Sequence, residues 1–301
     1  MSSLAEILGA SRPALWLEVA PPRGANPALL LKRLEAFAGH VDAINLTDNA
    51  LGRVKMSGLV FASFIKTRLG IPVVLNFSCR HRNRYALKSD LLGAAALGID
   101  GIVAVAGDRV PNQYPDQAAT AVRDLNPLGL LDMIAALNRG DTGEGRAPLK
   151  TLPKLYAGGV ANPNREDFDR EIGMLERKAR AGVKFVITQP VFQPAIARRF
   201  QAHAKRLSIH AMLGILPVKR ASMADHIKQQ VADLSGAREH FDRYAGMSEA
   251  EARAFSVREN LALMKSLAGE VAGFNIMSGG GTSLAIELAL EFSKWRTHAN
   301  Q

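Results

Sequence analysis

Ala14-Leu15-Trp16-Leu17-Glu18-Val19-Ala20, stopped by Pro21-Pro22, is an apolar run of strand length that carries one carboxylate. Short runs of this kind read as buried strands, and proline, with no N–H to give a sheet, ends them. An acid inside such a strand must be paired, neutralised or put to use. Burial raises its pKa and prepares it to donate a proton. The ordinary role for Glu18 is that of a strand-end residue paired with an Arg or Lys.

Working outward, seven further apolar, β-branched runs follow at 41–46, 71–77, 99–106, 153–160, 183–188, 209–216 and 271–277. Helical patterns lie between them. Ala28 to Ala38 places Leu29, Leu30, Leu34 and Phe37 on one face, and Phe168 to Ala181 does the same with Ile172, Leu175 and Ala179. Alternating strands and helices imply a parallel sheet covered by helices, and eight units in 301 residues match a closed (β/α)8 TIM barrel of the α/β class. The expected organisation is one domain over 1–301, with a short lead (1–13) and an elaborated helical segment (219–270) before the last strand. A doubly wound open sheet is the alternative. No Gly-x-Gly-x-x-Gly follows the first strand, where Val19-Ala20-Pro21-Pro22-Arg23-Gly24 stands, and no Walker-type phosphate loop occurs. Asn138 to Arg146, rich in Gly and charge, reads as a loop on the side where helices return to strands.

The single cysteine, Cys79, rules out internal disulfides and any all-cysteine metal site. The formal charge of +10 raises the question of a polyanionic partner, but Lys and Arg are scattered, and aromatics are too few, at 6%, to build a stacking platform. Nucleic acid is therefore not expected as a partner, and small anionic ligands suit the charge better. No apolar stretch reaches membrane-spanning length, and Met1-Ser2-Ser3-Leu4-Ala5-Glu6 lacks the features of a signal peptide, so no membrane association and a cytoplasmic location are expected.

In a barrel the C-terminal strand ends converge on one mouth. Here they carry Glu18; Asn45 and Thr47-Asp48-Asn49; Asn76 and Ser78-Cys79-Arg80; Gly107-Asp108; Tyr156, Gly158-Gly159 and Asn162; Thr188-Gln189; Leu216-Pro217; and Asn275 with Ser278-Gly279-Gly280-Gly281. Every end but the seventh is polar. Glu18 and Asp108 could face one ligand as proton donor and as acceptor or anchor, although Asp108 would also serve as a cap after Gly107. Of the seven histidines, only His81 and His210 come near a strand, so neither a His-based triad nor a metal site is expected. Neutral groups (Thr47, Asn76, Ser78, Asn162, Gln189) suit a large heterocycle. Gly279-Gly280-Gly281-Thr282-Ser283 opens a helical pattern where barrels often bind phosphate, or is a plain turn.

Several blocks then occur in order: Leu17-Glu18-Val19-Ala20-Pro21-Pro22-Arg23; Cys79-Arg80-His81-Arg82-Asn83 with Ser89-Asp90-Leu91-Leu92-Gly93-Ala94; Ala106-Gly107-Asp108 with Tyr114-Pro115-Asp116 and Thr120-Ala121-Val122. Ala161-Asn162-Pro163, Leu175-Glu176-Arg177-Lys178, Ala181-Gly182, Ile187-Thr188-Gln189-Pro190-Val191-Phe192 and Gly214-Ile215-Leu216-Pro217-Val218 follow. Over residues 14 to 290 this series resembles the methylenetetrahydrofolate reductase family, flavin-dependent barrel enzymes of one-carbon metabolism. The resemblance implies FAD and NAD(P)H as cofactors and a tetrahydrofolate derivative as substrate, hydride passing from the nicotinamide through FAD to the methylene carbon to give methyltetrahydrofolate, a step on the route to methionine. It implies that Glu18 is the general acid, that Asp108 anchors the pterin and takes part in catalysis, and that Gln189 bonds the pterin edge. It associates Thr47, Asn76, Ser78, Gly107, Asn162 and Lys178 with the flavin. The chain departs from the family's usual residues at Asn76, His81, Ala106 and Gln193, and at Gly279-Gly280-Gly281. Two alternatives use the same residues: a barrel oxidising methyltetrahydrofolate in a catabolic route, and a noncatalytic accessory subunit. A homo-oligomer is compatible with either.

Overall fold

In β1 (Ala14–Val19) the side chains alternate: Leu15, Leu17 and Val19 pack outward against helices, while Ala14 and Trp16 belong to the barrel interior. The same alternation repeats in β2 (Ala43–Leu46), β3 (Val73–Ser78), β4 (Gly101–Val105), β5 (Ala157–Ala161), β6 (Phe185–Pro190), β7 (His210–Ile215) and β8 (Gly273–Ile276). All eight strands are parallel and close in chain order, β8 pairing with β1. The computed structural model describes residues 2–108, 120–145, 147–230, 237–279 and 282–298. Around the barrel run α2 (Ala28–Glu35), α3 (Gly58–Leu69), α4 (Arg84–Ala96), α5 (Pro127–Asn138), α6 (Phe168–Arg180), α7 (Pro194–Arg206), α10 (Glu249–Leu267) and α11 (Thr282–His298). The expected TIM barrel is the fold. No helix among the described residues is long and apolar enough to cross a membrane.

The lead is a plug. Ser3 caps α1 (Leu4–Gly9) and Glu6 reaches back to the Ser3 N–H, a reciprocal capping box that lets a helix of 6 residues stand. Leu4 and Leu8 then join Trp16, Val74, Val103, Phe185 and Met212 in the lower interior of the barrel. Three large rings fill its centre: Trp16 meets Phe185 edge-on, with centroids 5.4 Å apart, and Tyr156 stacks on Phe185 at 5.8 Å. Glycine supplies the room for them. A Cβ on Gly158 would overlap the Phe185 ring, and that ring cannot retreat between Trp16 and Tyr156. Gly158→Ala is therefore expected to cost about 1–3 kcal/mol, read as a lower thermal midpoint; an unchanged melting curve would show that the interior is less tightly filled.

At the bottom of the barrel Asp42 ties the two ends of the described chain together. Its carboxylate accepts Arg12 Nη2 at 2.7 Å, the Leu15 N–H at 2.7 Å, and Arg296 Nη1 from α11, which also donates to the Pro13 carbonyl at 3.0 Å. Burial alone would raise the Asp42 carboxyl, but Arg12, Arg296 and the Leu15 N–H outweigh it and hold the group below its ordinary value.

Two expectations shift. The helix from Ala28 ends at Glu35, giving way to a 3-10 turn at Ala38–His40, and it buries Leu31 and Leu34 with Phe37 while Leu29 is 67% exposed. Of the expected face, Leu34 and Phe37 are buried and Leu30 packs on the core, while Leu29 faces out and Leu31 joins the core instead. The run 153–160 enters its strand only at Ala157, so Tyr156 lies in the lower interior and not at the mouth. Between β7 and β8, the segment 219–270 holds α8 (Ala221–Gln230), α9 (Arg238–Asp242) and α10, whose Ala224, Phe241, Tyr244, Ala252 and Phe255 make a small core of their own with Val218.

Candidate active site

Above the Trp16–Phe185 level the inward positions change chemistry. A cavity of about 240 Å³ opens there, lined on one side by Glu18, Asn45, Thr47, Asp48, Asn76 and Asp108, and on the other by Val105, Val160, Ile187 and Met277, with Thr188 and Gln189 at the rim. A polar half faced by an apolar half is the shape that takes a flat heterocycle: the apolar side gives area and the polar side orientation.

Glu18 sits in the polar half. Burial, the largest influence, raises its carboxyl to about 7, while the Ser278 N–H and the Asn275 side chain act in the opposite direction. Among the described residues no Arg or Lys helps set its protonation, so none of them makes Glu18 an ordinary strand-end ion-pair partner. Beneath it Asn45 and Asn275, both fully buried, are joined by an Asn45 Nδ2 donation to Asn275 Oδ1 at 3.2 Å.

Asp108 faces the same cavity and caps a neighbouring loop. Its Oδ2 accepts the Leu51 N–H at 2.6 Å. The loop it holds is strained: Asn49 and Leu51 have φ of 48° and 59°, left-handed values that cost a non-glycine residue about 1–2 kcal/mol each. Gly107 has to be glycine, because its φ is 86° and a Cβ would overlap Ser78 Oγ. Its carbonyl accepts Arg80 Nε at 2.9 Å, and the Ser78 hydroxyl accepts the Arg80 N–H at 3.3 Å. Next to it, Asp48 takes the Ser78 N–H at 2.9 Å and Arg82 Nη1 at 2.6 Å. Arg82 in turn lies 4.7 Å over the Phe77 ring and bridges to Asp90 at 3.2 Å. Asp48, Asn49, Ser78, His81, Arg82 and Asp108 enclose a side pocket of about 200 Å³ that adjoins the main cavity.

Gln189 reaches the rim through a break in the β6–β7 ladder. The register shifts between Ile187 and Pro190, where Thr188 Oγ1 donates to the Gln189 carbonyl at 2.8 Å and accepts the Gly214 N–H at 2.9 Å. Such a bulge re-aims side chains at a strand end. Thr47 Oγ1, in the cavity wall, is buried with no hydrogen-bond partner among the described residues.

The model of the family described as methylenetetrahydrofolate reductase matches residues 3–271. The chain belongs to this family. A probable methylenetetrahydrofolate reductase (NADPH) of Caenorhabditis elegans is 26% identical over 212 residues, a match covering 67% of this chain and 30% of that protein. This chain thus accounts for less than a third of that relative's length. Among solved structures, an uncharacterized Clostridium thermocellum protein, described as binding two copies of 5-methyl-5,6,7,8-tetrahydrofolic acid, superposes with a TM-score of 0.64 at 14% identity over 98% of each chain. A protein of Aquifex aeolicus reaches 0.51 at 11% identity, over 96% of this chain and 95% of that one. At these identities the likeness is one of fold.

Of the positions that the methylenetetrahydrofolate reductase resemblance singles out, Glu18, Thr47, Asn76, Gly107, Asp108 and Gln189 come together around the cavity, and Ser78 lies beside it. Two others do not. Lys178 lies on α6 against the outer face of β5, its Nζ donating to the Val160 carbonyl. A lysine in the last turn of a helix can lay its stem along a strand and bond the backbone there; this one therefore does not reach the mouth. Asn162 organises its own turn: its N–H donates to Glu171 Oε1 at 2.9 Å, its Oδ1 accepts the Asn164 N–H at 3.1 Å, and Asn164 Nδ2 reaches the Pro190 carbonyl at 2.8 Å. Tyr114-Pro115-Asp116, Gly280 and Gly281 lie outside the described residues.

Sequence reading passed over Asp48, Arg82 and His81 as site residues. The signal was present in the cluster Arg80-His81-Arg82-Asn83-Arg84 immediately after a strand end, but the carboxylate it serves lies 34 residues earlier. Among the described residues, no group of three or more His, Cys, Asp or Glu side chains could hold a metal.

Proposed function

We propose that this chain interconverts 5,10-methylenetetrahydrofolate and 5-methyltetrahydrofolate, with NAD(P)H as hydride source and FAD as carrier. The observation that carries this reading is Glu18: a carboxyl raised to about 7, with no cationic partner among the described residues, in the polar wall of a half-apolar cavity in a chain of this family. Near neutral pH such a group both holds and releases a proton, the requirement for a general acid.

The residues fit the cofactor. Thr47 offers a ring in the cavity a buried hydroxyl that has no partner among the described residues, with Asn76, Ser78 and Gly107 beside it. Arg80 and Arg123 line a neighbouring space of about 450 Å³ at the start of α5 and would supply charge for phosphates. FAD, when bound, supplies a two-electron path between a nicotinamide and the folate carbon. Glu18 then protonates the folate nitrogen that leaves the methylene carbon; that C–N bond breaks, the five-membered ring opens, and the carbon takes the hydride. Asp108 anchors the pterin through its N–H groups, and Gln189 bonds the pterin edge. The apolar wall of Val105, Val160, Ile187 and Met277 keeps water from the opened ring. That the Clostridium thermocellum protein sharing this fold is described as binding 5-methyltetrahydrofolic acid supports a folate as ligand.

The test is an absorbance spectrum of the purified protein followed by FAD titration and by the two half-reactions under anaerobic conditions. A flavin spectrum or saturable quenching on FAD addition, with bleaching by NADH or NADPH and recovery on adding methylenetetrahydrofolate, is the expected result. Protein that neither carries nor binds FAD would defeat the cofactor assignment while leaving the barrel intact.

A further inference from the structure

Asn45 and Asn275 are buried without exposure on the two strands that flank β1, an unusual place for amides, and among the described residues Asn45 Oδ1 and Asn275 Nδ2 have no hydrogen-bond partner. The registers bring them together: Asn45 is level with Glu18 on the β2 side, and Asn275 is level with Trp16 on the β8 side. Their hydrogen bond, Asn45 Nδ2 to Asn275 Oδ1 at 3.2 Å, spans the inner face of β1 between the apolar centre of the barrel and the carboxyl above it. Because Oδ1 of Asn275 is taken by Asn45, its Nδ2 is left buried without a hydrogen-bond partner among the described residues, and Glu18 is the carboxyl this amide acts on.

We infer that Asn45 and Asn275 are positioning residues, a two-amide relay in which Asn45 fixes the orientation of Asn275 and Asn275 sets the proton affinity of Glu18. This inference rests on the reading of Glu18 as the acid, and deepens it by naming what tunes the acid. The groups facing Glu18 from the surrounding elements leave the amides this task. From the β2–α3 loop comes Asp48, already bound to Arg82; from the end of β4 comes Asp108, bound to the Leu51 N–H. Among the described residues no cation lines the cavity. Stabilisation of ionised Glu18 thus falls to the Asn275 amide and the Ser278 N–H, set against burial. A donor aimed at a carboxylate favours its charged form, so removing the donor makes the group a weaker acid.

The experiment follows Glu18 directly, by the infrared carbonyl band of its protonated form, identified as the band that Glu18→Gln abolishes. In Asn275→Leu the titration midpoint is expected to rise by about one pH unit, the size of one hydrogen bond to a charged group, and in Asn45→Leu by less, in the same direction. The alkaline limb of the folate half-reaction should move with it, and that of nicotinamide oxidation should not. Asn45→Leu/Asn275→Leu removes both partners, leaves neither orphaned, and keeps the measurement possible if a single variant fails to fold. A Glu18 midpoint unmoved in the folded double variant overturns the relay. Failure of the acid reading looks different: Glu18→Gln would then reduce folate normally, whatever the amides do to the titration.

Discussion

Glu18→Gln is expected to slow folate reduction by about 10²–10⁴-fold, the range that a positioned general acid supplies, while reduction of bound flavin by NAD(P)H is little changed. Glutamine keeps the shape and the hydrogen-bonding reach of the side chain but has no proton to give at neutral pH. The loss should fall on the turnover number of the folate half-reaction more than on its KM, because the interaction removed is made in the transition state. A second signature is independent of activity. With a folded-state value of about 7 against an ordinary 4.5, Glu18 contributes stability that is fully present below about pH 4.5 and is lost as pH rises through 7. The wild type should therefore lose stability relative to the glutamine variant across that window. Unchanged folate reduction with normal flavin reduction would remove Glu18 from the acid's role.

The largest effect on stability is expected from Asp42→Ala, at about 3–5 kcal/mol, the cost of leaving a buried charge without its partner. Arg296 and Asp42 are each only 10% exposed at their side chains, so water cannot replace the lost carboxylate for the arginine. The Leu15 N–H loses its acceptor as well. Arg12, at 44% exposure, can turn to solvent and adds little to the loss. Because the Asp42 carboxyl is held below its ordinary value, its contribution is present above the usual carboxylate range and is lost as pH falls through the folded-state value. Denaturant unfolding should show wild type and variant well separated at pH 7, and the gap narrowing in strong acid. Coincident curves at pH 7 would show that the bottom of the barrel does not depend on this contact.

Much of this was legible in the chain. The eight runs are β-branched and apolar because strands of a closed parallel barrel are covered on both faces, and such runs announce themselves without knowledge of partners. The convergence of Glu18, Asn76, Asp108 and Gln189 followed from strand direction alone. Where reading went astray, the position of a strand start or a contact between distant segments was the cause. Tyr156 moved to the opposite end because the apolar character of 153–160 begins before the strand does, and a shift of a few residues in a strand of 5 exchanges top for bottom. Lys178 went to the outer face because nothing in a helix's last turn says which strand its long side chain will cover. The Asp48–Arg82 pair and the hold of Asp108 on Leu51 join residues 34 and 57 positions apart, and a spacing of that kind has no period to detect. The Thr188 bulge, which brings Gln189 to the rim, is likewise a property of two strands and not of one.

The knot at Asp42 also sets a timetable. A ribosome delivers β1 and β2 long before β8 and α11, and Arg296 emerges 254 residues after the carboxylate it neutralises. Through most of synthesis, a chain that curled its first strands together would have to seal Asp42 away without its buried arginine. The seam between β8 and β1 cannot join before β8 is made, and the arginine that neutralises Asp42 comes only with α11.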